Sequence, residues 1–275
     1  MTANKKNLKD LLDKPGADAQ VVEPVRTTTV IEQRHKSDNS RFGQFTNFLA
    51  NARDSVSNSI AVWENVPKYF FTPAQVRKLR DQSGRADPFT WNYKFQGMDC
   101  HVVISPARIR QPDGTFLDCF PGVTEELVEE ALKKLLAQGY GTHNGHEGKT
   151  WVSFSLSMLV RELASVGRSR NIKEIKRAIE VMSESVIKVY ADGEHVWTGP
   201  ILSNLTKVDR AQYLKDSEAM HLAQLPVFIT DAINKLEFRQ FDYARLMQCD
   251  LPLSRALYKR LIHNFTYAST LKPMR

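Results

Sequence analysis

Between residues 168 and 184 the chain gathers Arg168, Ser169, Arg170, Asn171, Lys173, Lys176 and Arg177, followed by Glu180 and Glu184. Projected at about 100° per residue, Arg170, Lys173, Arg177, Glu180 and Glu184 fall opposite the apolar row Ile172, Ile175, Ile179 and Met182, with Lys176 on the flank. The bases sit at the N-terminal end of this expected helix and the acids at its C-terminal end. The helix dipole favours the reverse order by about 0.3–1 kcal/mol per charge, so helix stability does not select this arrangement. A DNA duplex does, because a recognition helix enters the major groove with its N-terminal turns toward the bases. Ser169 and Asn171 can bond to phosphates or base edges, and Lys188 and His195, further on, are placed to touch the sugar-phosphate backbone. A plain solvated face is the alternative reading of such a charge run.

Other chemistries find little support. His143, His146 and Glu147 lie in a polar loop with Asn144 and Gly145 and no third ligand in pattern, so no metal is expected. Cys100, Cys119 and Cys249 are odd in number, far apart and without CxxC spacing, which fits buried thiols in a reducing cytoplasm. No nucleophile elbow, phosphate-cradling glycine loop or Cys–His pair occurs, so neither catalysis nor a cofactor is expected. Tyr69, Phe70 and Phe71, flanked by Val66 and Val76, read as core and not as a base-stacking platform. Arg255, Lys259 and Arg260 stand on the open side of a late helix whose other side carries Leu253, Leu257, Leu261 and Phe265; that open side suits water or phosphate equally.

The elements that must position these residues follow from periodicity and punctuation. The chain has 275 residues, 42% apolar and 25% charged, with Lys+Arg 38 against Asp+Glu 31 and a net charge of +7. That excess of base suits a polyanionic partner. No apolar run approaches the ~18–20 residues that span a bilayer, so no membrane partner is expected. Residues 1–59 are polar and lack a sustained apolar period, and read as a flexible N-terminal arm with a short helix at 8–14. The packed domain is expected over 60–250. Segments 89–95, 100–104 and 115–120, divided by Gln96-Gly97 and Pro112-Asp113-Gly114, read as one small antiparallel sheet.

A helix capped by Thr124 and ending at Gly139 comes next, then a strand over 150–155, a helix over 156–166, a turn at 167–170 and a helix over 171–185. Asn171 and Glu174 have the spacing of a capping box. A hairpin turning at Asp192-Gly193 completes the order of a winged helix-turn-helix, with the hairpin as its wing. The expected fold class is therefore α+β, a winged helix-turn-helix with an added small antiparallel sheet, and residues 251–275 form a linking helix.

Three stretches carry a resemblance. The run from Phe120-Pro121-Gly122-Val123-Thr124-Glu125-Glu126-Leu127 to Leu135, the strand-to-helix run 151–163, and Leu251-Pro252-Leu253-Ser254-Arg255-Ala256-Leu257-Tyr258-Lys259 are similar to plasmid replication initiators of the RepA/TrfA kind. The resemblance covers about residues 91–265. It implies two winged-helix domains, binding of double-stranded DNA at origin repeats, opening of the duplex, recruitment of the host initiator and helicase, and repression of the cognate promoter by dimers. In that family the helix matching 253–265 leads into a second winged helix, whereas this chain ends first, which fits either a fragment or an abbreviated relative. A homodimer is expected, because the apolar surface exceeds what one winged helix covers. A winged-helix repressor on a palindromic operator is the alternative.

Overall fold

The computed structural model describes residues 42–50, 55–206, 216 and 218–264; the short helix expected at 8–14 lies outside them. Helix α1 (Phe42–Phe48) leads to strand β1 (Val56–Ser59) and the single turn α2 (Ala61–Glu64). Helix α3 (Pro73–Leu79) starts on a capping box in which Thr72 and Gln75 satisfy each other's backbone N–H groups, with proline just inside the helix. Strands β2 (Phe89–Phe95) and β3 (Met98–Ser105) turn at Gln96-Gly97, whose φ values of 49° and 84° are those of a tight hairpin turn. Strands β4 (Ala107–Arg110) and β5 (Phe116–Cys119) form a separate hairpin.

Helix α4 (Val123–Ala137) follows. It begins one residue before the expected cap Thr124, because the Glu125 carboxylate reaches back to accept from the Gly122 N–H at 2.8 Å. Beyond it lie β6 (Gly141–Asn144), β7 (Lys149–Phe154), α5 (Leu156–Ser165), α6 (Ile172–Glu184), β8 (Val186–Ala191), β9 (Glu194–Gly199) and β10 (Ser203–Thr206). The described part closes with β11 (His221–Leu225), α7 (Val227–Lys235), β12 (Arg239–Asp242), α8 (Tyr243–Gln248) and α9 (Pro252–Asn264).

The architecture is mixed α+β with small antiparallel sheets, ordered β2-β3-β8-β9, β10-β11-β7-β6, β1-β12 and β4-β5. Leu127, Val128, Ala131, Leu132 and Leu136 of α4 are almost fully buried among Leu159 and Leu163 of α5, Ile175 and Met182 of α6, and Val152 and Phe154 of β7. Fully shielding an aliphatic side chain contributes about 1.5–3 kcal/mol, so this helix is the hydrophobic centre on which the others are mounted.

Four expectations change at this level. The segments 89–95, 100–104 and 115–120 do not make one sheet: β2 and β3 join β8 and β9, whereas β5 pairs with β4 alone, since Ala107, Ile109 and Cys119 bury against Val181. The segment 1–59 reaches the core: Phe48 is fully buried, and β1 pairs with β12 in the register Val56 to Asp242 through Ser59 to Arg239. The hairpin expected as a wing closes at Asp192-Gly193, with φ of 49° and 81°, yet β8 lies between β3 and β9 inside a four-stranded sheet. Strand β7, which precedes α5, pairs with β6 and β11 and not with that hairpin. Last, α9 is mounted the other way round. Leu253, Leu257 and Leu261 are 77%, 55% and 36% exposed, while Arg255 and Lys259 are buried. Phe265, the fourth member of the expected stripe, lies outside the described residues.

Among the described residues no helix is long and apolar enough to cross a membrane.

Candidate nucleic-acid interface

Helices α5 and α6 meet through a turn that the sequence specifies locally. The Ser155 hydroxyl accepts from the Met158 N–H at 3.1 Å and starts α5. Gly167, at φ 74°, turns the chain in the left-handed region where a side chain would be strained, and the Arg168 N–H returns to the Leu163 carbonyl at 2.8 Å. Asn171 and Glu174 then close the capping box: the Glu174 N–H donates to Asn171 Oδ1 at 2.9 Å and the Asn171 N–H to Glu174 Oε2 at 2.8 Å. Ile175, Ala178, Ile179 and Met182 fill the inner face of α6. Lys173, Lys176 and Arg177 are exposed on its outer face.

The nine residues singled out by type divide into distinct settings. Lys173, Lys176 and Arg177 share the open face of α6. Arg170, half-buried at its N-terminal end, donates to the Ser169 carbonyl at 2.9 Å. Asn171 is occupied in the cap. Arg168 is pinned to residues about 80 positions further along the chain, donating from Nε to the Met247 carbonyl at 2.5 Å and pairing through Nη1 with Asp250 at 2.8 Å. Lys188 lies in β8 opposite Val103 and Thr198, and His195 Nε2 lies 2.6 Å from Thr198 Oγ1 on the edge strand β9. The sheet thus carries Lys188 and His195 on an element separate from α6.

Two acids, Glu125 of α4 and Glu174, lie near the bases at the N-terminal end of α6. Burial pushes the Glu125 carboxyl up, against its Gly122 hydrogen bond and the positive charges of Arg177 and Arg170. Glu174 is spent on the cap, and Glu180 and Glu184 stand about one to two turns beyond Arg177 toward the other end.

Periodicity along the chain does not reveal the neighbour of α6. Ala107, Ile109 and Cys119 of the β4–β5 hairpin pack with Val181 as a small apolar cluster of their own. Arg177 bridges the two elements, donating to Gln111 Oε1 at 3.3 Å and to Cys119 Sγ at 3.3 Å. The strict alternation Ala107-Arg108-Ile109-Arg110 is the signal that marks β4 as half-buried.

His143, in contrast, is a structural histidine: its ring nitrogens meet Thr150 Oγ1 at 2.9 Å and Asn234 Oδ1 at 3.0 Å, and its ring stacks on Phe45. Burial pushes its pKa down.

No protein-family model matches the chain. No curated protein matches it either. Among solved structures, a crystal structure of domains 2 and 3 of RctB, as its selenomethionine derivative, aligns at 9% identity and a TM-score of 0.46 over 74% of this chain and 70% of that one. A second crystal structure of RctB domains 2-3 aligns at 9% identity and a TM-score of 0.42, over 69% of this chain and 68% of that one.

Proposed function

We propose that α5 and α6 form a DNA-reading helix-turn-helix of winged-helix descent, and that the protein is a plasmid replication initiator that binds repeated origin sequences, dimerises and recruits host replication proteins. The observation that carries this reading is the outer face of α6, where Lys173, Lys176 and Arg177 are exposed toward the N-terminal end while Glu180 and Glu184 follow behind. Helix stability opposes that order and a polyphosphate duplex rewards it. The resemblance of residues 120–135, 151–163 and 251–259 to plasmid initiators supplies the biological setting.

Dimerisation is supported by α9. Its leucine row is symmetric about Leu257, so antiparallel pairing with a second copy sets Leu253 against Leu261 and Ser254 against Arg260, while Arg255 and Lys259, which share this register, are turned inward and neutralised by Glu126 and Glu130.

The test has two parts. Replacing Lys173 and Lys176 by Ala should weaken duplex binding and lower the slope of log K against log salt by about 0.9 per lost phosphate contact. Unchanged affinity and slope would exclude α6 as the DNA-facing element. A vector without an origin that carries this gene with its flanking DNA should replicate; failure to do so by a protein that still binds that DNA would favour the repressor reading.

A further inference from the structure

We infer that the β4–β5 hairpin, and not β8–β9, is the second DNA-contacting element, and that it holds phosphates beside the groove entered by α6. The inference rests on the reading of α6 above and adds a site to it. The hairpin is fastened to α6 on one face only, through Ala107, Ile109, Cys119 and Val181. Its other face carries Arg108, Arg110 and Phe116, since Arg110 pairs with Phe116 and Arg108 with Asp118 in the antiparallel register.

The placement of the hairpin follows from its contacts. Arg177 of α6 meets both Gln111 at its turn and Cys119 at its base, and Val181, one turn further on, packs in its apolar cluster. The hairpin therefore lies beside the exposed bases of α6, and Arg110, next to Gln111 at the turn, is the base that it adds to Lys173 and Arg177. The base is clamped from the other side: the Asp118 N–H donates to the Gly84 carbonyl at 2.9 Å, Arg80 Nε donates to the Asp118 carbonyl at 2.6 Å, and the Ala86 N–H donates to Asp118 Oδ2 at 2.9 Å. A Cβ at Gly84 would stand 2.8 Å from the Phe116 carbonyl oxygen, so only glycine lets this loop close on the hairpin.

Charge sorts the two arginines. Arg108 pairs with Asp118 at 3.0 Å and lies over the Phe116 ring at 5.4 Å, which fixes it in place. Arg110 is exposed and has no ion pair among the described residues. The nearby turn acid Asp113 is occupied by Thr115, accepting from its N–H at 2.9 Å and its hydroxyl at 2.7 Å. A phosphate is the ligand that this row of guanidinium and ammonium groups fits.

The experiment titrates a labelled mixed-sequence duplex of ~30 base pairs, about three helical turns, with the full chain across a salt series. Arg110→Ala should lower the salt slope by about 0.9, Arg110→Lys should restore it, and Arg110→Glu should weaken binding further, all with an unchanged thermal melt. Lys173→Ala, run in parallel, reads α6 separately. If Lys173→Ala lowers the slope and the Arg110 variants do not, the hairpin is excluded and α6 stands. If neither variant alters it, the reading of α6 fails and the inference falls with it. If only the Arg110 variants act, the hairpin binds without α6 and the shared-surface inference is overturned.

Discussion

Arg255 in α9 donates from Nη2 to Glu126 Oε2 in α4 at 2.6 Å, with both side chains at 5% exposure or less. The pair belongs to a larger buried network. Lys259 donates to Glu64 at 2.7 Å and to Glu130 at 2.5 Å, Lys133 joins Glu64 and Glu130, and Glu129 accepts from Trp63 and from the Tyr69 hydroxyl, with Lys68 nearby. Glu64, Glu126, Glu129 and Glu130 are thus balanced by Lys68, Lys133, Arg255 and Lys259. Burial alone would raise the Glu64 carboxyl, but Lys133, Lys259 and Lys68 overcome it and hold it well below the usual range. Burial likewise opposes the charge on Lys259, yet Glu130, Glu64 and Glu126 keep its pKa raised. Buried ion pairs of this kind contribute little net stability, but they permit one docking geometry and punish the loss of either partner.

Arg255→Met should therefore destabilise the protein by about 3–5 kcal/mol, because Glu126 is left buried and uncompensated. Pairing it with Glu126→Leu should recover most of the loss. Urea denaturation checks both; a single variant as stable as the parent would mean that the pair is hydrated. Because the folded carboxyl of Glu64 titrates below its ordinary 4.5, its contribution is present above that pH and is lost as the pH falls through the folded value.

Phe48→Ala should cost about 3–5 kcal/mol, since the ring is fully buried and lies edge-on to Phe238 at 5.1 Å between centroids. A melt superimposable on the parent would restore the reading of residues 1–59 as a flexible arm.

Leu257→Glu should leave the melt of the isolated chain within about 0.5 kcal/mol, the usual range for an exposed position. It should abolish concentration-dependent association in sedimentation equilibrium. Dimers that persist in this variant would place the interface elsewhere.

Asp231→Asn should raise the melting temperature at pH 8 and lose that advantage toward pH 4. Burial pushes the Asp231 carboxyl up to about 6, and its Oδ2 has no hydrogen-bond partner among the described residues. A folded pKa above the unfolded 3.8 means that the native state holds the proton more tightly, so this residue destabilises most above pH 6 and less as the pH falls toward 4. A stabilisation independent of pH would point to a cause other than the charge.

The segment from α5 through its turn to α6 is legible in the order of its residues. Its signals are local: Ser155 and Asn171 cap within their own first turns, Gly167 supplies the left-handed residue, and Ile175, Ile179 and Met182 repeat at the helical period. The turns at Gln96-Gly97 and Asp192-Gly193 are local in the same way. Which partner each element takes is not local. The period of α9 is the same whether its leucines or its bases face inward, and the choice depends on Glu64, Glu126 and Glu130, acids remote in sequence that only the packed α4 and its neighbour α2 bring beneath it. The same holds for β8–β9, a sound hairpin whose sheet is decided by β3, and for Arg168 and Arg177, equal as charges along the chain but sent by tertiary contact to the end of α8 and to the β4–β5 hairpin. Short-range hydrogen bonding and periodicity are written in consecutive residues, whereas the neutralisation of a buried charge requires a partner that only the folded chain can deliver.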